Sequence, residues 1–148
     1  MLSNDEKWYS VSLHLSGDNL PVEEIEATLG LEADFIAKKG ELSDNARYIN
    51  TFNLWASKSL TGDNVDFEEQ ITGLLDLLKP KMSELKKILA LPEVEGELYL
   101  GFAAGNGQGG TTLSPKLLQR IAACGLTLQI ELYPPDLNGK NIMAEETT

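Results

Sequence analysis

The segment Gly105-Asn106-Gly107-Gln108-Gly109-Gly110 satisfies G-x-G-x-x-G, the spacing with which a dinucleotide-binding loop brings backbone N–H groups against a pyrophosphate. It follows an alternating apolar run and precedes a helical one. Glu131 lies near the distance at which a ribose-binding acid would be sought. That chemistry also needs the helix to begin at the loop, so that its first N–H groups meet the phosphates. Here Thr111-Thr112-Leu113 intervenes before the helix-start pair Ser114-Pro115. No Gly-Lys-Ser/Thr follows, so a Walker loop is excluded too. The glycines are expected to make a tight strand-to-helix connection using positive φ angles. Asn106 and Gln108 then remain as amide groups able to contact a ligand or partner.

The other reactive side chains are sparse. Cys124 is the only cysteine, so neither an intrachain disulfide nor a thiolate metal cluster can form. Its apolar run, Ile121-Ala122-Ala123-Cys124, favours a buried thiol over a nucleophile. His14 is the only histidine. A metal site built on it would need carboxylate partners, and no ligand spacing presents them, so no metal and no cofactor is expected. The bland role for His14 is a surface or sheet-pair residue. The sharper one makes it, or Glu131, an acid–base group beside the glycine loop in a small-molecule or nucleotide binder or enzyme.

Charge narrows the partners. Twelve Lys+Arg stand against 23 Asp+Glu, a net charge of -11. Phosphate-backbone binding needs clustered cations, so nucleic acid is excluded as a partner, and an anionic membrane is disfavoured for the same reason. Acids gather at Asp18, Glu23, Glu24, Glu26, Glu32 and Asp34, and again from Asp63 to Asp76, ahead of Lys79, Lys81, Lys86 and Lys87. Such blocks commonly complement helix dipoles on a solvated face. They can equally steer a basic partner. Asp5, Glu6 and Lys7 occupy the place where a signal peptide would be apolar, and no run is long enough to span a membrane. A reducing, cytoplasmic location is the expectation.

The elements that must position these groups follow from periodicity. A chain of 148 residues predicts one domain, with its core at about 8–133 and a polar tail at 136–148. Strands are predicted at Tyr9–Leu15, Phe35–Lys39, Thr51–Ser57, Leu98–Ala104 and Leu126–Tyr133. A helix is predicted from Pro21 to Leu29 with Gly30 closing it. A second runs from Asp66 to Leu91 and must be kinked or split at Pro80. A third runs from Ser114 to Gly125. The order implies an α+β fold: a ferredoxin-like βαββαβ sandwich with an added helix and strand, and a five-stranded mixed sheet with helices on one face.

Strand alternation sorts the faces. Tyr9, Val11, Leu13 and Leu15 form an apolar side, and Trp8, Ser10, Ser12 and His14 the other. The same alternation sets Leu54 and Ala56 against Asn53, Trp55 and Ser57. It also sets Leu98, Leu100 and Phe102 against Tyr99 and Gly101, and Leu128, Ile130 and Leu132 against Gln129, Glu131 and Tyr133. Helices cover the apolar side, which leaves His14, Trp55, Tyr99 and Glu131 on an open face. Such aromatics either make cross-strand pairs worth roughly 0.2–1 kcal/mol each or form a recognition surface. On the second reading Trp55→Ala leaves the fold intact and weakens binding.

Gly17-Asp18, Leu20-Pro21, Leu29-Gly30-Leu31, Lys39-Gly40, Leu54-Trp55, Ser114-Pro115 and above all Gly105-Asn106-Gly107-Gln108-Gly109-Gly110 resemble a bacterial family of unknown function, the one numbered 4279. The resemblance covers roughly residues 8 to 133. It implies a stand-alone bacterial domain and carries no catalytic residue with it. For a small acidic protein of this kind the expected role is that of a binding protein, an immunity or regulatory module working through a protein partner or self-association.

Overall fold

The computed structural model describes residues 7–63 and 65–133; the tail predicted at 136–148 lies outside the described residues. Lys7–Ser16 forms β1, whose period-two pattern suits a strand with one buried face. Its whole length pairs antiparallel with β5, Glu95–Ala104, so that Lys7 stands opposite Ala104 and Ser16 opposite Glu95. The other side of β1 is shared. β3, Leu54–Ser57, pairs with its residues 14–16, and β4, Leu60–Asp63, with its residues 8–11. β2, Ala33–Ala37, lies outside β3, and β6, Thr127–Tyr133, runs parallel to β5 at the opposite edge. Six strands therefore occupy five positions in one mixed sheet, β2–β3–β1–β5–β6, with β4 continuing the lane of β3.

The fold is α+β, as predicted, and the fourth-strand break at Lys58-Ser59 is the feature the alternation did not reveal. β1 has no ladder partner on that side at Ser12 and Leu13, between its two pairings. The Leu13 amide donates instead to Ser57 Oγ at 2.8 Å, which satisfies a buried donor that the lane change leaves over.

Helix α1 is short, Ile25–Leu29, because Pro21 to Glu24 forms turns before it; Gly30 closes it at φ 70°. α2, Phe67–Leu78, is capped by Asp66, whose carboxylate accepts from the Glu69 amide at 3.2 Å. Pro80 lacks an N–H and cannot continue that ladder. A 3-10 turn at Lys79–Lys81 accordingly separates α2 from α3, Met82–Leu89. α4, Pro115–Ala123, starts at Ser114, whose hydroxyl accepts from the Leu117 amide at 3.2 Å. Phe67, Ile71, Leu74, Leu75 and Leu78 of α2 share one core with Leu85 of α3, Ile121 of α4 and Tyr9, Val11, Leu13, Leu15, Leu98 and Leu100 of the sheet. The helices therefore cover the face that the odd residues of β1 define.

Trp55 belongs to that core and not to the open face. It is fully buried and stands opposite Leu15 in the ladder. The alternation of β3 is real, but its faces are the reverse of those expected. Ser57 looks like a solvent-facing residue and is instead a buried one, holding the Leu13 amide, so Trp55 and Ser57 point into the core. Leu54 and Ala56 take the open side.

Candidate functional site

The open face is built on the even residues of β1 and their ladder partners. Trp8, Ser10, Ser12 and His14 stand opposite Ala103, Gly101, Tyr99 and Glu97 of β5. These stand in turn opposite Tyr133, Glu131, Gln129 and Thr127 of β6. Residues so paired share a face. On the β3 side, His14 stands opposite Ala56, and Ala56 opposite Phe35 of β2.

Aromatic rings link three of these strands in a row. The His14 imidazole stacks on Tyr99, with centroids 4.6 Å apart and planes within 6°. The Tyr99 and Tyr133 hydroxyls hydrogen-bond at 2.9 Å. Tyr133 meets Trp8 edge-on at 6.3 Å. The row fits because Gly101 has no side chain: a Cβ there would lie 2.8 Å from Ser10 Oγ and 3.2 Å from the Trp8 ring. Beneath the rings Ser10 and Ser12 are each only 4% exposed, and Ser12 Oγ lies 3.0 Å from His14 Nε2. Burial under this stack pushes the His14 pKa below its ordinary value, favouring the neutral ring.

Polar character comes from the acids. Glu95 and Glu97 of β5 and Glu131 of β6 share the face with the rings. No Lys or Arg stands on this face among the described residues of β1, β2, β3, β5 and β6. The surface is an acidic, aromatic platform at one end of which burial holds the histidine toward its neutral form.

Of the expected site residues, His14 and Tyr99 are in contact, and Glu131 lies on the same face. Trp55 lies beneath the other face. Asn106 and Gln108 stand on the exposed loop after β5, where Asn106 Oδ1 accepts from the Gln108 amide at 2.9 Å. They are not brought to His14. Trp8 and Tyr133 complete the row and were not singled out beforehand; their parity with His14 and Glu131 was the available signal.

The glycine loop lines a groove of about 470 Å³ against Phe67, Phe102, Ile130 and Leu132, which reaches the aromatic row only at Tyr133. Gly109, at φ 156°, packs so closely on Phe102 that a Cβ would fall 2.5 Å from the ring. Helix α4 begins only at Pro115, so its first amides do not belong to the loop. The helix starts where the Ser114-Pro115 pair places it, after Thr111-Thr112-Leu113.

The family model described as Domain of unknown function (DUF4279) matches residues 6–135. The chain belongs to that family. The match spans the sheet from β1 to β6 and so contains the whole aromatic row of this DUF4279 domain. No curated protein and no solved structure matches the chain. Among the described residues no group of three or more His, Cys, Asp or Glu side chains is placed to hold a metal ion, and no helix is long and apolar enough to cross a membrane.

Proposed function

We propose that this DUF4279 domain is a bacterial, cytoplasmic binding module that holds a basic protein partner against the open face of its sheet, as an immunity or regulatory protein would. The observation that carries the reading is the continuous row His14–Tyr99–Tyr133–Trp8, flanked by Glu95, Glu97 and Glu131 with no Lys or Arg beside it among the described strand residues of the face. Aromatic rings beside carboxylates suit Arg and Lys side chains, which gain from the ring faces and from the negative field together. The overall charge of -11 would speed the encounter with such a partner.

The test is affinity capture with three baits: the wild-type chain, Trp8→Ala, and Glu97→Lys/Glu131→Lys. A basic protein retained by the wild type should be lost from both variants, while their urea midpoints stay near wild type. Truncating an anchor should weaken the measured affinity by about 2 kcal/mol or more. Retention that is equal on all three baits overturns the reading.

A second reading rests on the groove at Gly107–Thr111, whose size and apolar walls suit a small ligand. A thermal-shift screen of nucleotides and metabolites distinguishes it. A shift abolished by Leu132→Glu and unaffected by Trp8→Ala would favour the groove over the open face.

A further inference from the structure

Where α2, α3 and α4 converge, the helical layer leaves a groove of about 440 Å³, away from the open face of the sheet. Leu75 and Cys124, both buried, form its floor, with Met82 half-buried at one side. Lys79, Lys86, Lys116 and Arg120 stand around it, four of the chain's 12 cations. The one acid in the lining is Asp76, and it is already paired with Arg120 at 3.0 Å. Lys79, Lys86 and Lys116 make no ion pair among the described residues, whereas Lys38, Lys39 and Lys58 each meet a carboxylate elsewhere on the surface.

The helix dipoles account for part of this cluster and not for the rest. Lys86 lies in the last turn of α3 and Lys79 just past α2, where cations are favoured. Lys116 lies in the first turn of α4, at the positive end, where a cation is disfavoured. Glu68 lines an adjoining cleft with Lys116, Thr72 and Ser114, and the two make no ion pair among the described residues. Burial pushes the Cys124 thiol up, with Arg120 and Lys86 opposing that rise from the groove, so the floor stays uncharged beneath a cationic rim.

We propose that this groove binds a small amphipathic anion, a carboxylate or phosphate monoester whose apolar body rests on Leu75, Met82 and Cys124 while its head meets Lys79, Lys86 and Lys116. A concave apolar floor rimmed by unpaired cations, in a molecule of net charge -11, offers such a ligand burial and charge neutralisation together. An inorganic anion would gain only the second, and a neutral alcohol only the first. This site is independent of the proposed open-face contact.

The test is calorimetric titration of the full chain with octyl phosphate, inorganic phosphate and octanol. Octyl phosphate should bind more tightly than either of the others. Lys79→Gln/Lys116→Gln should weaken it about tenfold without moving the urea midpoint, and Lys81→Gln/Lys87→Gln, outside the groove, should leave it unchanged. Octyl phosphate should also slow alkylation of Cys124, the only cysteine. Absence of binding, equal binding of octanol, or equal binding by the Lys79/Lys116 variant overturns the proposal. Cosedimentation with phosphatidylglycerol vesicles separates the two sources of such an anion. The wild type should stay in the supernatant, and sedimentation lost in the Lys79/Lys116 variant would replace the free ligand with a membrane headgroup.

Discussion

His14 is held between a stacked Tyr99 ring and the buried Ser12 hydroxyl, and that enclosure penalises the imidazolium. Its folded pKa lies below the ordinary value, so the unfolded chain binds the proton first as the pH falls. The stability contributed by the neutral ring is complete above about pH 6.5 and is lost as the pH drops through the lowered folded value. Glu97, opposite in the ladder, is the carboxylate on the same face beside it. Urea midpoints followed from pH 7.5 to 5 should decline for the wild type and decline less for His14→Gln; parallel curves would show that His14 is not the titrating group. Trp55 sets a second residue-scale expectation. Deleting a fully buried indole should cost about 3–5 kcal/mol of stability, so Trp55→Ala is a folding variant and says nothing about recognition. Its Nε1 has no hydrogen-bond partner among the described residues. Trp55→Phe removes that orphan donor and keeps the ring, so its loss in urea titration should stay below about 1.5 kcal/mol.

The elements show where local pattern stops being enough. Asp66, Ser114-Pro115, Gly30 and Pro80 each act through a turn or less of chain, and each acts as its chemistry predicts. β3 depends on something distant. Ser57 is buried because β1 changes partners at Ser12 and Leu13, and a strand's own alternation does not reveal a break in its neighbour's pairing. Trp55 takes the core side because the register sets it opposite Leu15, which the alternation within β3 does not reveal. Half of the open face was nonetheless legible, since His14, Tyr99 and Glu131 share a parity that the ladder preserves. Trp8 and Tyr133 share that parity too, but their contact needed the register, which brings both rings over Gly101. Gly101→Ala tests this: its Cβ would press Ser10 and Trp8, so the Trp8 ring should leave Tyr133, with a changed near-UV circular dichroism spectrum and a loss of about 1–3 kcal/mol. An unaltered spectrum would mean that the face has room to spare.

At the scale of the molecule, charge is divided between two sides of one sheet. The open side carries acids and rings, and the helical side carries a cationic groove within an otherwise acidic chain. The four ion pairs among the described residues, Lys38–Glu23, Lys39–Asp18, Lys58–Glu32 and Arg120–Asp76, all have exposed partners and contribute little each. Repulsion within a net charge of -11 acts on the whole compact state and opposes folding. Salt screens both effects, and the sign of its action tells which is larger. With few exposed pairs to lose and a large excess of one charge to screen, raising sodium chloride from 20 to about 300 mM at pH 7 should raise the urea midpoint. The rise should be smaller at pH 5, where partial protonation of the carboxylates has already reduced the excess charge as the pH approaches the pI near 4.4. A midpoint that falls with salt would show that attraction between paired charges outweighs the repulsion, and that this acidic surface helps to hold the fold together.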